Sequence, residues 1–289
     1  MALDPQCVGF ETKKHALPYD WKTLATYALG IGAKRDELAF LYEGTPGGMH
    51  VYPTFAVVPA HAAVLEALIR TGGDLAMIVH GGQTVRAFAP IPSEGTLETV
   101  GRIDGIYDMK KFAQVVVSTD TSLATGGHGG GTRVYTTTWS IIFRGAGGFG
   151  GERPPSDDSP SVPKDAAPAF RFEQATTPEQ ALLYRISGDQ NPLHADPAFA
   201  EKVGFPQGPI LHGLCTFGFL GRAVVKHACG GDPSRLKRLS AQFRRPVWPG
   251  DTLTVDGHDL GGGRYAFQTS VKERNEAVLG GAWAELASQ

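Results

Sequence analysis

The sequence predicts an α+β protein of two related halves, each an antiparallel sheet wrapped around a long central helix. Three observations carry this reading. An apolar helical stretch followed by several β-rich runs occurs twice along the 289 residues. The second such stretch, "GPILHGLCTFGFLGRAVVKHA", is apolar almost all round, through Ile210, Leu211, Leu214, Phe217, Phe219, Leu220, Val224 and Val225. A helix with no wet face must be wrapped by other structure. Between the halves, "RGAGGFGGERPPSDDSPSVPKDAAPAF" (Arg144 to Phe170) is rich in Gly, Pro, Ser and Asp and has no periodicity, so it reads as a connection.

The first half is assigned residues 1–150, with "YPTFAVVPAHAAVLEALIR" as its helix and "GGQTVRAFAPIPSEGTL", "FAQVVVSTDTS" and "TRVYTTTWSIIFR" as its β-rich runs. Residues 151–168 form the linker. The second half, residues 169–289, repeats the order with "SAQFRRPVWPGDTL", "YAFQTSVKE" and "AVLGGAWAEL". Gln83 and Gln242 stand at matching points, each before a basic, strand-like run with Pro, Gly and Leu. "ATGGHGGGTR" (Ala124 to Arg133) lacks the Lys-Ser/Thr ending of a phosphate loop and reads as a hairpin tip.

A charged fraction of 19% and a hydrophobic fraction of 42% describe a soluble globular chain. The net charge of −2, with no basic run, sets nucleic acid aside. No stretch reaches the roughly 18 unbroken apolar residues of a membrane span, so no membrane partner is expected. The three cysteines, Cys7, Cys215 and Cys229, lack metal spacing and suit a reducing compartment, with Cys215 in the helix core. No export signal opens the sequence and "ELASQ" is no peroxisomal address, so the expectation is cytoplasmic.

Chemistry concentrates in "YRISGDQNPLHADPAFAEKVGFPQGPILHGLCTFGFLG", Tyr184 to Gly221. In "GDQNPLH", Pro192 fixes its own backbone and biases Asn191 toward extended geometry, while Gly188 permits a tight approach before Asp189. Such a loop can converge Asp189 and His194, a carboxylate and an imidazole able to divide proton work, with Asn191 orienting the acid or a water. The same letters are also ordinary turn chemistry. In "GPILHGLCTFG", Pro209 fits a first helical turn, and Gly213 lies near bare N–H groups where a ligand oxygen could approach. Equally, Gly213 could be a packing glycine and His212 a core histidine. His194, Asp196 and His212 match no common metal spacing, and Asp196 before Pro197 reads as a helix cap, so no metal is expected. No Gly-x-Ser-x-Gly elbow occurs.

The stretch "YRISGDQNPLHADPAFAEKVGF", continued by "PILHGLCTFGF", closely resembles the signature of the MaoC-like hydratases, in particular the two-repeat enoyl-CoA hydratase 2 family. "VHGGQ", "GGFGGERP" and "FRRPVWPGDTL" resemble further landmarks of that family. The resemblance implies a double hot-dog fold, often dimeric, and reversible hydration of trans-2-enoyl-CoA to (3R)-3-hydroxyacyl-CoA in β-oxidation of fatty or bulkier acyl groups. It implies a catalytic water held by Asp189 and His194, with Asn191 in support and the Gly213 N–H on the thioester carbonyl. It further implies acyl-CoA contacts from His80, Gly81, Lys110 or the adjoining Lys111, Gln190, Pro192, Leu193, His212 and Phe243. Coenzyme A enters as part of the substrate, with no separate cofactor, and a homodimer is expected. Where the family commonly has His-Gly-Glu-Gln this chain has His80, Gly81, Gly82, Gln83, and the first half has no Asp-x-Asn-Pro-x-His counterpart. One catalytic centre per chain follows, the first half accommodating the acyl group. A thioesterase or a non-catalytic acyl-CoA-binding or assembly protein on the same fold is the alternative.

Overall fold

A computed structural model describes residues 3–126, 129–156 and 158–287. Ten strands make one antiparallel sheet. The first half contributes β1 (His15–Tyr19), β2 (Ile78–Ala87), β3 (Gly95–Met109), β4 (Phe112–Leu123) and β5 (Arg133–Arg144). The second contributes β6 (Phe170–Ala175), β7 (Leu236–Phe243), β8 (Thr252–Gly261), β9 (Arg264–Val271) and β10 (Glu276–Leu286). The spatial order is β1-β3-β4-β5-β2-β7-β10-β9-β8-β6. Read inward from either end, the order is first, third, fourth, fifth, second, so the repeat expected from element order is present as topology.

The halves join where β2 pairs with β7. Gly82 faces Gln242 and Gln83 faces Ala241. Laying Gln83 on Gln242 exchanges these two pairs, which places the internal two-fold axis between them. Thr84 and Ser240 share a hydroxyl hydrogen bond of 2.8 Å beside the axis.

Alternation writes the strands. β4 reads "FAQVVVSTDTSL", with Ala113, Val115, Val117 and Thr119 buried and the residues between them less so, the two-residue period of a half-buried strand. The edge strands β1 and β6 are short, and Pro18 is tolerated in β1 because an edge strand leaves N–H groups unpaired. The hairpin tip after β4 falls partly on Gly127 and His128, outside the described residues.

The helices are α1 (Trp21–Gly30), α2 (Val57–Arg70), α3 (Gln180–Tyr184), α4 (Pro197–Lys202) and α5 (Gly213–His227). Helix α2 lies over β3 and β4 and buries one face: Val57, Ala60, Ala63, Val64, Ala67 and Leu68. Helix α5 buries every residue from Leu214 to Val225. Its outer side is covered by the first half. A Cβ on Gly218 would lie 2.2 Å from Ile31, and one on Gly221 would lie 2.5 Å from Thr54. Arg222, 1% exposed, pairs with Glu37, which also accepts from the Tyr52 hydroxyl at 2.7 Å.

Between Arg144 and Phe170 the described residues form neither helix nor strand. The start of this segment is pinned, since Gly148 and Gly150 N–H donate to the Asp108 carboxylate at 2.9 and 2.7 Å.

Candidate active site

The segment before α5 places the chemistry. Gly188, at φ +128°, adopts backbone that favours glycine and turns the chain into Asp189. Asn191 then caps a short 3-10 turn, Pro192–His194, its Oδ1 accepting from Leu193 N–H at 3.0 Å. The sequence expectation had this side chain orienting the acid or a water. Instead its oxygen is committed to the turn, and support for Asp189 comes from the Asn191 backbone N–H, 3.2 Å from Oδ1. Asp196 caps α4 through Ala198 and Phe199 N–H, as its place before Pro197 predicts.

His194 is 8% exposed, and its Nδ1 lies 2.8 Å from the Ile210 carbonyl. A carbonyl only accepts, so Nδ1 carries the proton and Nε2 keeps a bare lone pair. His212 donates from Nε2 to the Asp189 carbonyl at 3.1 Å, which ties the loop to the start of α5. Its Nδ1 is buried without a partner. The two imidazoles stack with centroids 3.7 Å apart.

One oxygen or nitrogen from each of Asp189, His194 and His212 lies within 4.8 Å of the others, the one such cluster among the described residues. The set could surround a small ligand. A shared metal ion suits it poorly, because each imidazole lone pair lies in its own ring plane and the stacked planes are tilted by only 27°. A water accepts and donates without that demand.

Burial lowers His194 below the ordinary imidazole range, and burial beside His194 takes His212 down to about 3. For Asp189 burial pulls upward, but His212, His61 and His194 outweigh it and hold the carboxyl below its usual value. At neutral pH the cluster is one carboxylate beside neutral imidazoles.

Helix α5 begins at Gly213, so Pro209 lies before the helix and not in its first turn, contrary to expectation. The chain there is held instead by Leu211 N–H donating to the Val247 carbonyl at 2.7 Å. Gly213 N–H meets no backbone acceptor among the described residues. The Phe243 ring would lie 3.1 Å from a Cβ at this position, so any larger residue would press on that ring.

The first half supplies the opposite wall. A register shift between His80 and Gly82 leaves Gly81 as a bulge, and a Cβ there would meet Ile142 at 2.9 Å. His80 donates from Nε2 to the Gly82 carbonyl at 3.1 Å, stacks on Trp139 at 5.0 Å and faces Phe243 at 4.8 Å. This packing lowers its pKa to about 4.

Asp189, His194, His212, Gly213, Phe243 and His80 are thus joined by direct contacts or the shared cluster. Gln190 and Pro192 are exposed on the loop, and Leu193 is half-buried. Lys110 is not brought to the cluster. It sits exposed on the β3–β4 turn at φ +68°, with β4 and β5 between it and β2. Sequence reading missed His61 of α2 and Trp139 of β5. The one available signal was a lone imidazole in the apolar run "YPTFAVVPAHAAVLEALIR".

A cleft of about 430 Å³ lies elsewhere, lined by Met49, Pro53, Ala87, Ile91, Tyr135 and Lys237 among others, at the opposite end of the β2–β7 pair. Pro53 and Thr54 stand as far before Gln83 in the sequence as His212 and Gly213 stand before Gln242. Proline offers no amide donor there, and although His50 and Asp232 also line the cleft, no third acid or imidazole joins them in a cluster among the described residues.

The sequence profile of the MaoC like domain matches residues 161–281, and that of the MFE-2 hydratase 2 N-terminal domain matches residues 17–145. The chain belongs to the two-repeat, MaoC-like hydratase 2 family. It is 38% identical over 277 residues to 3-hydroxyacyl-thioester dehydratase Y of Mycobacterium tuberculosis, spanning 94% of this chain and 92% of that one. It is 38% identical over 290 residues to the peroxisomal enoyl-CoA hydratase 2 of Arabidopsis thaliana, spanning 92% of each. Among solved structures, a MaoC-like dehydratase from Phytophthora capsici superposes with TM-score 0.87 at 31% identity, over 100% of this chain and 99% of that one. The full-length peroxisomal multifunctional enzyme type 2 of Drosophila melanogaster superposes with TM-score 0.81 at 33% identity, over 95% of this chain and 48% of that one. The fold is the double hot-dog of this family.

Proposed function

We propose that the chain is a hydro-lyase, an enoyl-CoA hydratase 2 that adds water reversibly to trans-2-enoyl-CoA to give (3R)-3-hydroxyacyl-CoA. The observation that carries this is the convergence of Asp189 and His194 beside the open Gly213 amide, in a family whose named relatives are enoyl-CoA hydratases and thioester dehydratases. Asp189 and the bare Nε2 of His194 hold one water. As its oxygen bonds to C3 of the enoyl group, a proton passes to C2, so the elements of water are added and nothing leaves. The thioester oxygen gains charge as the double bond shifts, and the Gly213 N–H at the positive end of α5 stabilises it. Proton transfer by a placed side chain contributes about 100- to 10,000-fold. Every step runs on the chain's own residues and the coenzyme A thioester, with no separate cofactor.

We read the chain as a cytoplasmic homodimer. Three free, buried cysteines suit a reducing compartment, and no helix among the described residues is long and apolar enough to cross a membrane. The peroxisomal Arabidopsis relative makes the peroxisome the competing location.

The test uses the purified protein with trans-2-decenoyl-CoA. Hydration removes the conjugated absorbance and releases no free thiol, and chiral chromatography identifies the (3R) product. Release of coenzyme A thiol would indicate a thioesterase instead. Inertness toward all acyl-CoA thioesters would leave an assembly role.

A further inference from the structure

Four imidazoles lie in or beside the proposed site, and three are fastened. His194 is held by the Ile210 carbonyl, His212 by the Asp189 carbonyl and His80 by the Gly82 carbonyl. His61, half-buried on α2, forms no hydrogen bond among the described residues.

Its position is set by a continuous run of rings. Phe243 packs on Gly213, His80 lies 4.8 Å from Phe243, Trp139 stacks on His80 at 5.0 Å, and His61 meets Trp139 edge-on at 6.4 Å. The wall therefore starts at the amide that takes the thioester oxygen and ends on the central helix of the other half. His61 is also near enough to influence the ionisation of both Asp189 and His80.

Before substrate enters, solvent satisfies a half-buried imidazole. A plain alkyl chain laid against it expels that water and leaves the ring nitrogens without partners, which is costly, whereas an oxygen on the chain replaces the lost bonds. We propose that His61 is a specificity residue that hydrogen-bonds a hydroxyl or keto oxygen carried by the acyl group beyond the double bond. The substrates are then oxygenated enoyl-CoA thioesters rather than simple alkyl ones. This rests on the hydratase reading above and on the acyl chain following this wall of rings from the Gly213 amide.

The test compares kcat/KM for two enoyl-CoA thioesters of equal length, one alkyl and one bearing a hydroxyl on the carbons just past the double bond. The wild-type protein is expected to favour the hydroxylated thioester by about five- to a hundred-fold, the worth of one buried hydrogen-bonding group. His61→Leu abolishes the preference, mainly through a weaker KM for the hydroxylated thioester, and His61→Gln restores part of it. Equal wild-type rates on the two thioesters, or a preference that survives in His61→Leu, overturns the proposal while hydration itself stands. Failure to hydrate either thioester overturns the hydratase reading and this inference together. The wild-type comparison decides even if the leucine variant does not fold.

Discussion

The two central helices differ in what covers them. Helix α5 is buried on all sides because residues of the first half, Ile31, Glu37 and Thr54, lie across its outer face. Nothing comparable covers α2 among the described residues, where Leu65 is 43% and Ile69 59% exposed. Dependence between the repeats is therefore one-sided. The helix that presents the Gly213 amide is clamped by both halves, whereas its counterpart packs on one face only. A fixed amide and fixed imidazoles need such support, since donors stabilise developing charge only if they are already aimed. The first half keeps the sheet and helix of the repeat but offers Pro53 and Thr54 where the second offers His212 and Gly213.

Breaking this asymmetry has its largest effect on chemistry. His194→Ala removes the bare imidazole lone pair and is expected to cut hydration of an enoyl-CoA by about 100- to 10,000-fold with the fold intact, measured by steady-state kinetics beside circular dichroism. The clamp comes next. Arg222→Ala leaves Glu37 buried and unpaired, and denaturant melts should show a loss of about 3–5 kcal/mol. Replacing both partners with apolar residues should recover most of that loss. Gly218→Ala gains helix propensity but drives a methyl into Ile31, so a net loss of about 1–3 kcal/mol is expected in the same melts. On the bare face of α2, Leu65→Ser should change stability by no more than about 0.5 kcal/mol. A larger change would mean that this face is covered in solution.

The pH profile sharpens the same contrast. Burial lowers His194, so its neutral, proton-accepting form persists as pH falls through the ordinary imidazole value of about 6.5. Asp189, held below its usual range, stays ionised over the same interval. The kcat/KM of hydration should remain flat through that pH and decline only below it. An acidic limb at or above the ordinary value would mean that the base is solvated.

Much of this arrangement can be read in the sequence, for physical reasons that differ by residue. Asp189, His194, His212 and Gly213 lie close along the chain in a segment stiffened by Gly188 and Pro192, so local backbone chemistry foretells their meeting. The wrapped helix is legible because α5 has no polar face. The wall from the other half is harder to see. Trp139 and His61 reach the site only through the register of β5 on β2 and the seat of α2 on the sheet, and neither leaves a mark at short range. Edge strands β1 and β6 are too short for alternation to show. The fate of Asn191 is ambiguous for another reason: an amide after Asp189 can orient an acid or cap a turn, and the free N–H of Leu193 settles it for the cap.

The central claim is that one water is shared by the Asp189 carboxylate and the His194 imidazole. Asp189→Asn tests it most directly, because it removes the charge and keeps the shape. Hydration of trans-2-decenoyl-CoA should fall at least about 100-fold while the melting temperature holds. Turnover at the wild-type rate would show that the reaction runs somewhere else.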